Sequence, residues 1–317
     1  MQKLIIGTRG SELAVAQTRW IKKQIKNHHS GIAIDIKKIT TTGDKIKDGS
    51  LINKGGKGLF IKEIEKALLN EEIDIAVHSL KDIPGNIKDD FKLVCFPERE
   101  NPHDVLISRK NHSLSDLPQK ATLGTGSLRR QNQLKNYRSD LNFVNLRGNV
   151  NTRIKKMKNM KLDGIILAAA GLHRLNNREM ITQYISDKIC IPAVGQGTLG
   201  IEILKKRVQL KRFLKEIDDF KTRLQSKAER SFLAEIGGDC NLPLGAYVDF
   251  EQKQAEARIT MKAFLSDIKG NQALRKNIGI KLNLNSDPGK LEKKMENTGK
   301  KLADKVLNSG GVDLLKD

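Results

Sequence analysis

A short apolar run that ends in a polar cluster places the strongest constraint on the fold. Residues 73–77 are mainly apolar and include two isoleucines and a valine, a composition that favours a strand buried on both faces of a parallel sheet. Pro84 stops the pattern because it fixes φ and has no N–H for a ladder. In an open α/β sheet, ligands bind at the carboxyl ends of the strands. The run therefore predicts a site at Ser79, Lys81 and Asp82, unless Lys81 and Asp82 form an exposed loop pair.

The length and composition are typical of a soluble globular protein with two or three domains. The chain has 317 residues, of which 38% are hydrophobic and 30% are charged. No apolar run approaches the roughly 20 residues of a membrane helix, and the polar N-terminus predicts no signal peptide. Cys95, Cys190 and Cys240 are few and odd in number, which argues against a disulfide framework or a cysteine metal site. We therefore expect a cytoplasmic protein without a metal.

The net charge of +21 leaves three kinds of partner open. Such a balance fits a nucleic acid, a polyanionic small substrate or a lysine-rich surface without a partner. Many lysines lie in mixed-sign helical stretches such as residues 290–305, which indicates a solvated face. Aromatic residues for base stacking make up only 4% of the chain, and no recognised nucleic-acid motif is present, so we expect no nucleic-acid partner.

The start of the chain combines a strand, a short loop and a helix. Residues 4–7 predict a strand, and a helical pattern follows Ser11, which is a natural N-cap. Loop amides at a helix start bind anions readily, and Arg9 adds a bidentate donor. A plain cap beside a surface arginine is the alternative. Residues 121–130 repeat the same order of strand, loop and helix, which predicts two lobes built on one plan.

Three predicted strands in the second lobe are followed by arginines. The strands at 121–124, 143–146 and 164–167 lead to Arg129 and Arg130, to Arg147 and Arg153, and to Arg174. Chance easily places an arginine after one strand, but three such strand ends indicate a cleft lined for anions.

A long polar loop at residues 40–58 contains five glycines and four lysines. Loops of this length inside a compact domain usually have a function. Its composition suits a lid over an anionic ligand.

The three cysteines differ in their surroundings. Cys95 and Cys190 lie in apolar, strand-like stretches, which predicts small buried side chains. Cys240 lies in a glycine-rich loop near Pro243 and Gly245, where a thiol is accessible. Cys240 is therefore the candidate nucleophile or attachment point.

A series of short motifs along nearly the whole chain resembles one family. The motifs are Gly7–Ser11, Gly55–Phe60, Ala76–Asp82, Ser127–Arg130, Leu146–Asn149, Pro192–Gly197 and the Cys240 loop. In this order and spacing they resemble the porphobilinogen deaminase (hydroxymethylbilane synthase) family of tetrapyrrole, or haem, biosynthesis.

The resemblance implies an α/β protein of three domains. Two lobes with mixed sheets, similar to those of periplasmic binding proteins, are expected at residues 1–97 with 198–217 and at 102–191. A small C-terminal α+β domain that carries the cysteine loop is expected at 220–317. The family is expected to be monomeric.

The resemblance also implies a transferase that joins four porphobilinogen molecules head to tail into hydroxymethylbilane and releases ammonia. The primer is a dipyrromethane cofactor bound as a thioether to the cysteine that matches Cys240. A two-lobed anion-binding protein without catalysis is the alternative, but it would leave Asp82 and Cys240 without a role.

The family motifs assign a role to each matching residue. The cofactor is expected to contact Ser79, Lys81, Thr125, Ser127, Arg129 and Arg130, and the substrate or growing chain is expected to contact Arg9, Ser11, Lys57, Phe60, Arg147, Arg153, Arg174 and Gln196. Asp82 is the expected catalytic residue, because a carboxylate accepts pyrrole N–H bonds, stabilises a cation and assists proton transfer. Asn53 and Gly126 depart from the family pattern, which often has lysine and serine there.

Overall fold

The computed structural model describes residues 3–45, 61–237 and 242–315. Lys57, Phe60, Cys240 and most of the predicted lid lie outside these residues. The strands are β1 Lys3–Arg9, β2 Ala33–Ile39, β3 Ile75–Ser79, β4 Phe91–Cys95, β5 Asp104–Ser108, β6 Thr122–Gly124, β7 Asn142–Val144, β8 Gly164–Ala168, β9 Gln183–Ile185, β10 Leu199–Leu204, β11 Leu244–Lys253, β12 Glu256–Ser266 and β13 Ala273–Asn283. The α-helices are α1 Glu12–His28, α2 Thr42–Lys45, α3 Lys62–Leu69, α4 Leu128–Tyr137, α5 Val150–Asn159, α6 Ala169–Arg174, α7 Phe220–Ile236, α8 Pro288–Val306 and α9 Val312–Leu314.

The chain divides into two compact units. The first comprises Met1–Arg99 and Thr198–Arg223, and the second comprises Glu100–Gly197 and Leu224–Asp317. The second unit thus includes the residues of both the predicted second lobe and most of the predicted C-terminal domain, and the three-domain division stays a prediction. Among the helices in the described ranges, none is both long and apolar enough to cross a bilayer.

The first unit is built on a five-stranded mixed sheet in the order β2-β1-β3-β10-β4. Strand β1 is parallel to β2 and to β3, whereas β10 runs antiparallel to β3 and β4. The core includes Ile6, Ile75 and Ile201, each fully buried, and burial of such a side chain contributes about 1.5–3 kcal/mol. The strand predicted from the apolar run at residues 73–77 is confirmed as β3. It begins at Ile75, and one of its two neighbours, β10, is antiparallel to it.

Helix α1 forms where the sequence predicts it. The Ser11 hydroxyl accepts a hydrogen bond from the backbone N–H of Ala14 at 3.3 Å, which confirms the predicted N-cap. Glu12 in the first turn and Lys26 in the last turn complement the helix dipole. The apolar face buries Ile21 against the sheet core.

The second unit contains two sheets. The first is a mixed sheet in the order β7-β6-β8-β5-β9. Strand β6 is parallel to its neighbours β7 and β8, whereas β5 is antiparallel to its neighbours β8 and β9. Strands β11-β12-β13 form an antiparallel sheet whose apolar face packs with residues of α7 and α8, including the fully buried Phe232 and Leu302. Two mixed sheets and a small α+β part confirm the predicted fold class.

Two local predictions are corrected by the structure. Residues 208–217, whose apolar spacing predicts an α-helix, form part of a 3₁₀ segment, Lys205–Ile217, that is interrupted by non-helical backbone at Arg207. Cys190 lies in a loop and not in a strand. Its predicted burial is confirmed, as is that of Cys95, and burial raises the pKa of each thiol to about 12. Both thiols are therefore unreactive at neutral pH.

Candidate cofactor and substrate site

In the first unit, two parallel strands bring predicted site residues to one edge of the sheet. Ile6 of β1 pairs with Ile75 of β3, so both strands end at the same edge. Arg9 ends β1, and the 3₁₀ turn Leu80–Asp82 follows β3. The guanidinium Nη1 of Arg9 lies 3.8 Å from Oδ2 of Asp82, whose side chain is 37% exposed. The catalytic candidate is thus accessible and held loosely by one cation.

The hydroxyl of Ser79 is fixed by a side chain that sequence reasoning missed. Gln17 of α1 is buried, and its amide nitrogen donates to Ser79 Oγ at 3.0 Å, while the hydroxyl donates to the amide oxygen at 3.2 Å. The sequence signal was a glutamine on the helix face that also carries Ala14 and Ile21. Ser79 and its neighbour Lys81 are partly buried at the strand end.

In the second unit, three parallel strand ends place the predicted arginines along one sheet edge. Strand β6 leads to Ser127, which precedes α4, so Arg129 and Arg130 lie in its first turn. Arg147 follows β7, and Arg174 ends α6 directly after β8. Thr125 is buried, and its hydroxyl accepts the backbone N–H of Ser127 at 3.3 Å.

Asp104, which sequence reasoning also missed, holds Arg129 and Arg130 together. It opens the antiparallel strand β5 opposite Ala168, the last residue of β8. Its carboxylate is fully buried and lies 2.7 Å from Nη1 of Arg129 and 2.8 Å from Nη2 of Arg130. Burial raises the pKa of Asp104, but the two guanidinium groups outweigh it and keep the pKa well below its ordinary value. The feature of the sequence that could have revealed it is a single acidic residue at the start of an otherwise apolar strand.

This cluster limits how the two arginines can contact a ligand. Arg129 and Arg130 are 4% and 6% exposed, and Arg130 also donates to the Ile166 carbonyl at 3.1 Å. The hydrogen bonds of Arg129 to described residues start at Nη1. Two guanidinium groups and one carboxylate give the cluster a net charge of +1.

Gln196 belongs to the same buried cluster. Its side-chain nitrogen donates to Asp104 Oδ1 at 3.0 Å and to the Pro102 carbonyl at 2.7 Å. Since Gln196 is 1% exposed, the structure gives it a supporting contact with the arginine pair. Its predicted contact with substrate stays a prediction.

Positive charge accumulates around Arg153. Burial, together with the like charges of Arg130 and Arg147, lowers the pKa of Arg153 to about 10. Its Nε donates to the Gly148 carbonyl at 2.8 Å. Guanidinium groups that are desolvated close to one another favour an anion between them. This donor set fits the carboxylates of a dipyrromethane and of porphobilinogen.

Arg174 is fixed to the segment that ends the second lobe. Burial lowers the pKa of Arg174 to about 10, against a partial opposing effect of Glu100. Its Nη2 donates to the Gly197 carbonyl at 2.7 Å, and the Glu100 N–H donates to the same carbonyl at 3.2 Å.

The backbone at Gly197 leaves no room for a side chain, so Gly197→Ala should disturb this anchor. Its φ is +89°, and a Cβ there would lie 2.3 Å from the Glu100 carbonyl oxygen. We expect a loss of at least about 1–2 kcal/mol from the left-handed backbone alone, measured by urea unfolding. Gly31→Ala is the control, because a Cβ on Gly31 would meet nothing within 4 Å. Equal stability of the two variants would contradict this account of the anchor.

Residues 3–45, 61–237 and 242–315 contain no group of three or more His, Cys, Asp or Glu side chains arranged to hold a metal ion.

Solved structures with a related fold are periplasmic binding proteins. One from Salmonella typhimurium, whose structure concerns high arginine specificity, is 16% identical, with 68% of this chain and 90% of that chain covered and a TM-score of 0.37. A probable amino-acid transporter binding protein from Bacillus subtilis is 12% identical, with the same coverage and a TM-score of 0.40.

Sequence comparisons identify the family directly. Residues 4–212 match the profile described as the porphobilinogen deaminase, dipyromethane cofactor binding domain, and residues 223–308 match the C-terminal domain of the same family. Porphobilinogen deaminase of Syntrophomonas wolfei is 43% identical over 99% of this chain and 98% of that protein, and the Natranaerobius thermophilus protein is 40% identical over the same shares. These matches favour the enzyme over a binding protein without catalysis. The chain therefore belongs to the porphobilinogen deaminase family and carries that family's dipyrromethane cofactor binding domain.

Proposed function

We propose that this protein is a hydroxymethylbilane synthase that condenses four porphobilinogen molecules head to tail and releases one ammonia for each. The observation that carries the proposal is the set of arginines that follow three parallel strands of the second unit, which are Arg129 and Arg130 after β6, Arg147 after β7 and Arg174 after β8. Each pyrrole ring of the substrate brings an acetate and a propionate, and guanidinium groups bind such carboxylates with strong, directional hydrogen bonds. We further propose a cytoplasmic monomer, in line with the scattered cysteines and with the family.

The arginines of the second unit bind and orient the carboxylates. Arg147 and Arg153 hold substrate or growing chain, with Arg174 also assigned to it. Arg129 offers Nε and Nη2 to the cofactor because its Nη1 is bound to Asp104. Hydrogen bonds to charged groups contribute about 1.5–3 kcal/mol each, so several of them fix the position of each ring.

The bound dipyrromethane supplies a pyrrole carbon as the nucleophile that starts the chain. Asp82 faces the pyrrole N–H groups, stabilises the positive charge that develops on the substrate when ammonia leaves, and helps to remove the proton lost on bond formation. Arg9, 3.8 Å from Asp82, places a positive charge beside that carboxylate. Ser79, held by Gln17, orients the cofactor beside Lys81.

Cys240 is proposed as the residue that carries the cofactor through a thioether. The other two cysteines are buried and have a pKa raised to about 12, so their thiols are poor nucleophiles. The loop composition around Cys240 is the sequence feature that supports an accessible thiol.

The intact mass of the denatured protein tests the proposal. We expect the wild-type chain, after incubation of the apo form with porphobilinogen, to be heavier by one dipyrromethane unit, because a covalent group survives unfolding. The excess mass should disappear in Cys240→Ser and persist in Cys95→Ser and Cys190→Ser. A bare wild-type mass after incubation, with the chain folded, would falsify the proposal. Ammonia release and formation of a linear tetrapyrrole by the loaded protein provide the second measurement.

A further inference from the structure

Helix α4 is attached to the C-terminal sheet within the second unit. The side chain of Asn132 donates to the Ser266 hydroxyl at 2.9 Å and to the Asp267 carbonyl at 3.1 Å. Both partners lie at or just after the end of β12. Asn132 and Gln133 are buried, and they follow Arg129 and Arg130 by one helical turn. The helix that presents the two arginines therefore has a second anchor away from Asp104.

Arg275 of β13 makes the most extensive of these contacts. Its Nη1 donates to the Lys188 carbonyl at 2.6 Å, and its Nη2 donates to the Ile189 carbonyl and to Gln133 Oε1, the latter at 3.1 Å. The guanidinium also lies over the Phe264 ring at 5.7 Å from its centroid. One side chain thus joins the sheet, the loop before Ile191 and helix α4.

The contacts continue from Gln133 to Arg129 through one carbonyl. Gln133 accepts the Ile191 N–H at 2.8 Å and donates to the Ile191 carbonyl at 3.0 Å. The same carbonyl accepts a hydrogen bond from Arg129 Nη1 at 2.6 Å. Arg129 is the arginine assigned above to a carboxylate of the cofactor. A shift of Ile191 would therefore move the donors of Arg129 directly.

We propose that Arg275 is a positioning residue that holds Arg129 in the orientation needed to receive the cofactor. The proposal rests on the proposed function, because it assigns Arg129 to a cofactor carboxylate. Arg275 does not contact the ligand itself; it fixes the loop carbonyls and Gln133, and these fix Arg129. The C-terminal sheet then contributes to cofactor recognition through a residue outside all the family motifs identified in the sequence.

The variant Arg275→Gln tests this assignment. We expect the apo protein to stay folded and to acquire the dipyrromethane mass about tenfold more slowly at limiting porphobilinogen. This corresponds to about 1.4 kcal/mol, close to the contribution of one hydrogen bond to a charged group. Turnover per loaded molecule should stay at the wild-type value, because Asp82 takes no part in this chain of contacts. If Arg275 only stabilised the fold, the variant would not slow cofactor loading while leaving turnover per loaded molecule unchanged.

Two further variants make the test specific. Arg258→Gln removes an exposed arginine of the neighbouring strand β12, whose side chain takes no part in the contacts of Arg275, and it should load at the wild-type rate. Arg275→Lys keeps the charge but cannot form all the hydrogen bonds of Arg275 at once. Its loading rate should therefore lie between that of Arg275→Gln and that of the wild type. If Arg275→Gln does not fold, Arg275→Lys alone provides the comparison.

The possible outcomes are distinct. If the wild type gains the dipyrromethane mass and both Arg275 variants gain it at the same rate, the inference is overturned and the proposed function stands. Equal slowing by Arg258→Gln would also overturn it, because the effect would then come from surface charge. A wild-type chain that never gains the mass would contradict the proposed function itself.

Discussion

Replacing Asp82 by asparagine is expected to lower the turnover of porphobilinogen by about 100- to 1,000-fold, the range for loss of one preorganised electrostatic group. The amide can still accept a hydrogen bond, but it carries no charge to face the cation formed when ammonia leaves. The protein should stay folded, because Asp82 is partly exposed and its ion pair with Arg9 at 3.8 Å is of the kind that contributes about 0–1 kcal/mol.

Steady-state rates and thermal unfolding of the same preparation measure this effect. Asp89→Asn is the matched control, because Asp89 is exposed a few residues further along the chain and should keep wild-type rates. Loading of the cofactor must be followed by intact mass, so that a variant without primer is not mistaken for one without catalysis. A loaded Asp82→Asn protein with rates close to wild type would remove Asp82 from the mechanism.

Replacing Asp104 by asparagine is expected to destabilise the second unit by about 3–5 kcal/mol, the range for breaking a buried ion pair on one side. The buried guanidinium groups of Arg129 and Arg130 would lose their common carboxylate. The amide would also be a poorer partner for Gln196, which now donates to Asp104. Urea unfolding measures the loss, and reduced cofactor loading should accompany it.

The control for Asp104 is an aspartate paired with arginine at the surface. Asp140 lies 2.6 Å from Nη2 of Arg138 and is partly exposed, so Asp140→Asn should cost at most about 1 kcal/mol. Comparable losses of unfolding free energy in Asp104→Asn and Asp140→Asn would show that the buried Asp104 cluster contributes no more than a surface ion pair.

The contribution of the Asp104 carboxylate to stability should depend on pH. The pKa of Asp104 is held below its ordinary value in the folded chain, so its contribution to stability is fully present above the unfolded pKa, about 3.9. The contribution falls as the pH drops towards the lower folded pKa. The stability difference between wild type and Asp104→Asn should therefore shrink below about pH 4. A difference that stays constant there would contradict the assigned protonation state.

The sequence predicted the structural elements that follow local rules. A strand followed by a polar cluster gave β3 with Ser79 and Asp82, and the serine before a helical pattern gave the cap at Ser11. Such features depend on neighbours in the chain, where strand ends and caps have recognisable residues.

The side chains that support the site were not predictable in the same way. Asp104 and Arg129 are 25 residues apart, and Gln17 and Ser79 are 62 apart. Their contacts depend on strand order and on the antiparallel direction of β5, which no local pattern specifies. The 3₁₀ segment was missed because its apolar spacing of three and four residues also fits an α-helix.

The mutual repulsion around Arg153 links the supply of substrate to the amount of enzyme. A ligand bound only by the folded state raises its stability, and a covalently attached polyanion does so permanently. A newly made chain without the cofactor should open more often than a loaded one, and proteases cleave the open state. Scarce porphobilinogen would then shorten the lifetime of the protein that consumes it, so the arginines that select the ligand would also tie the abundance of the enzyme to the supply of its substrate.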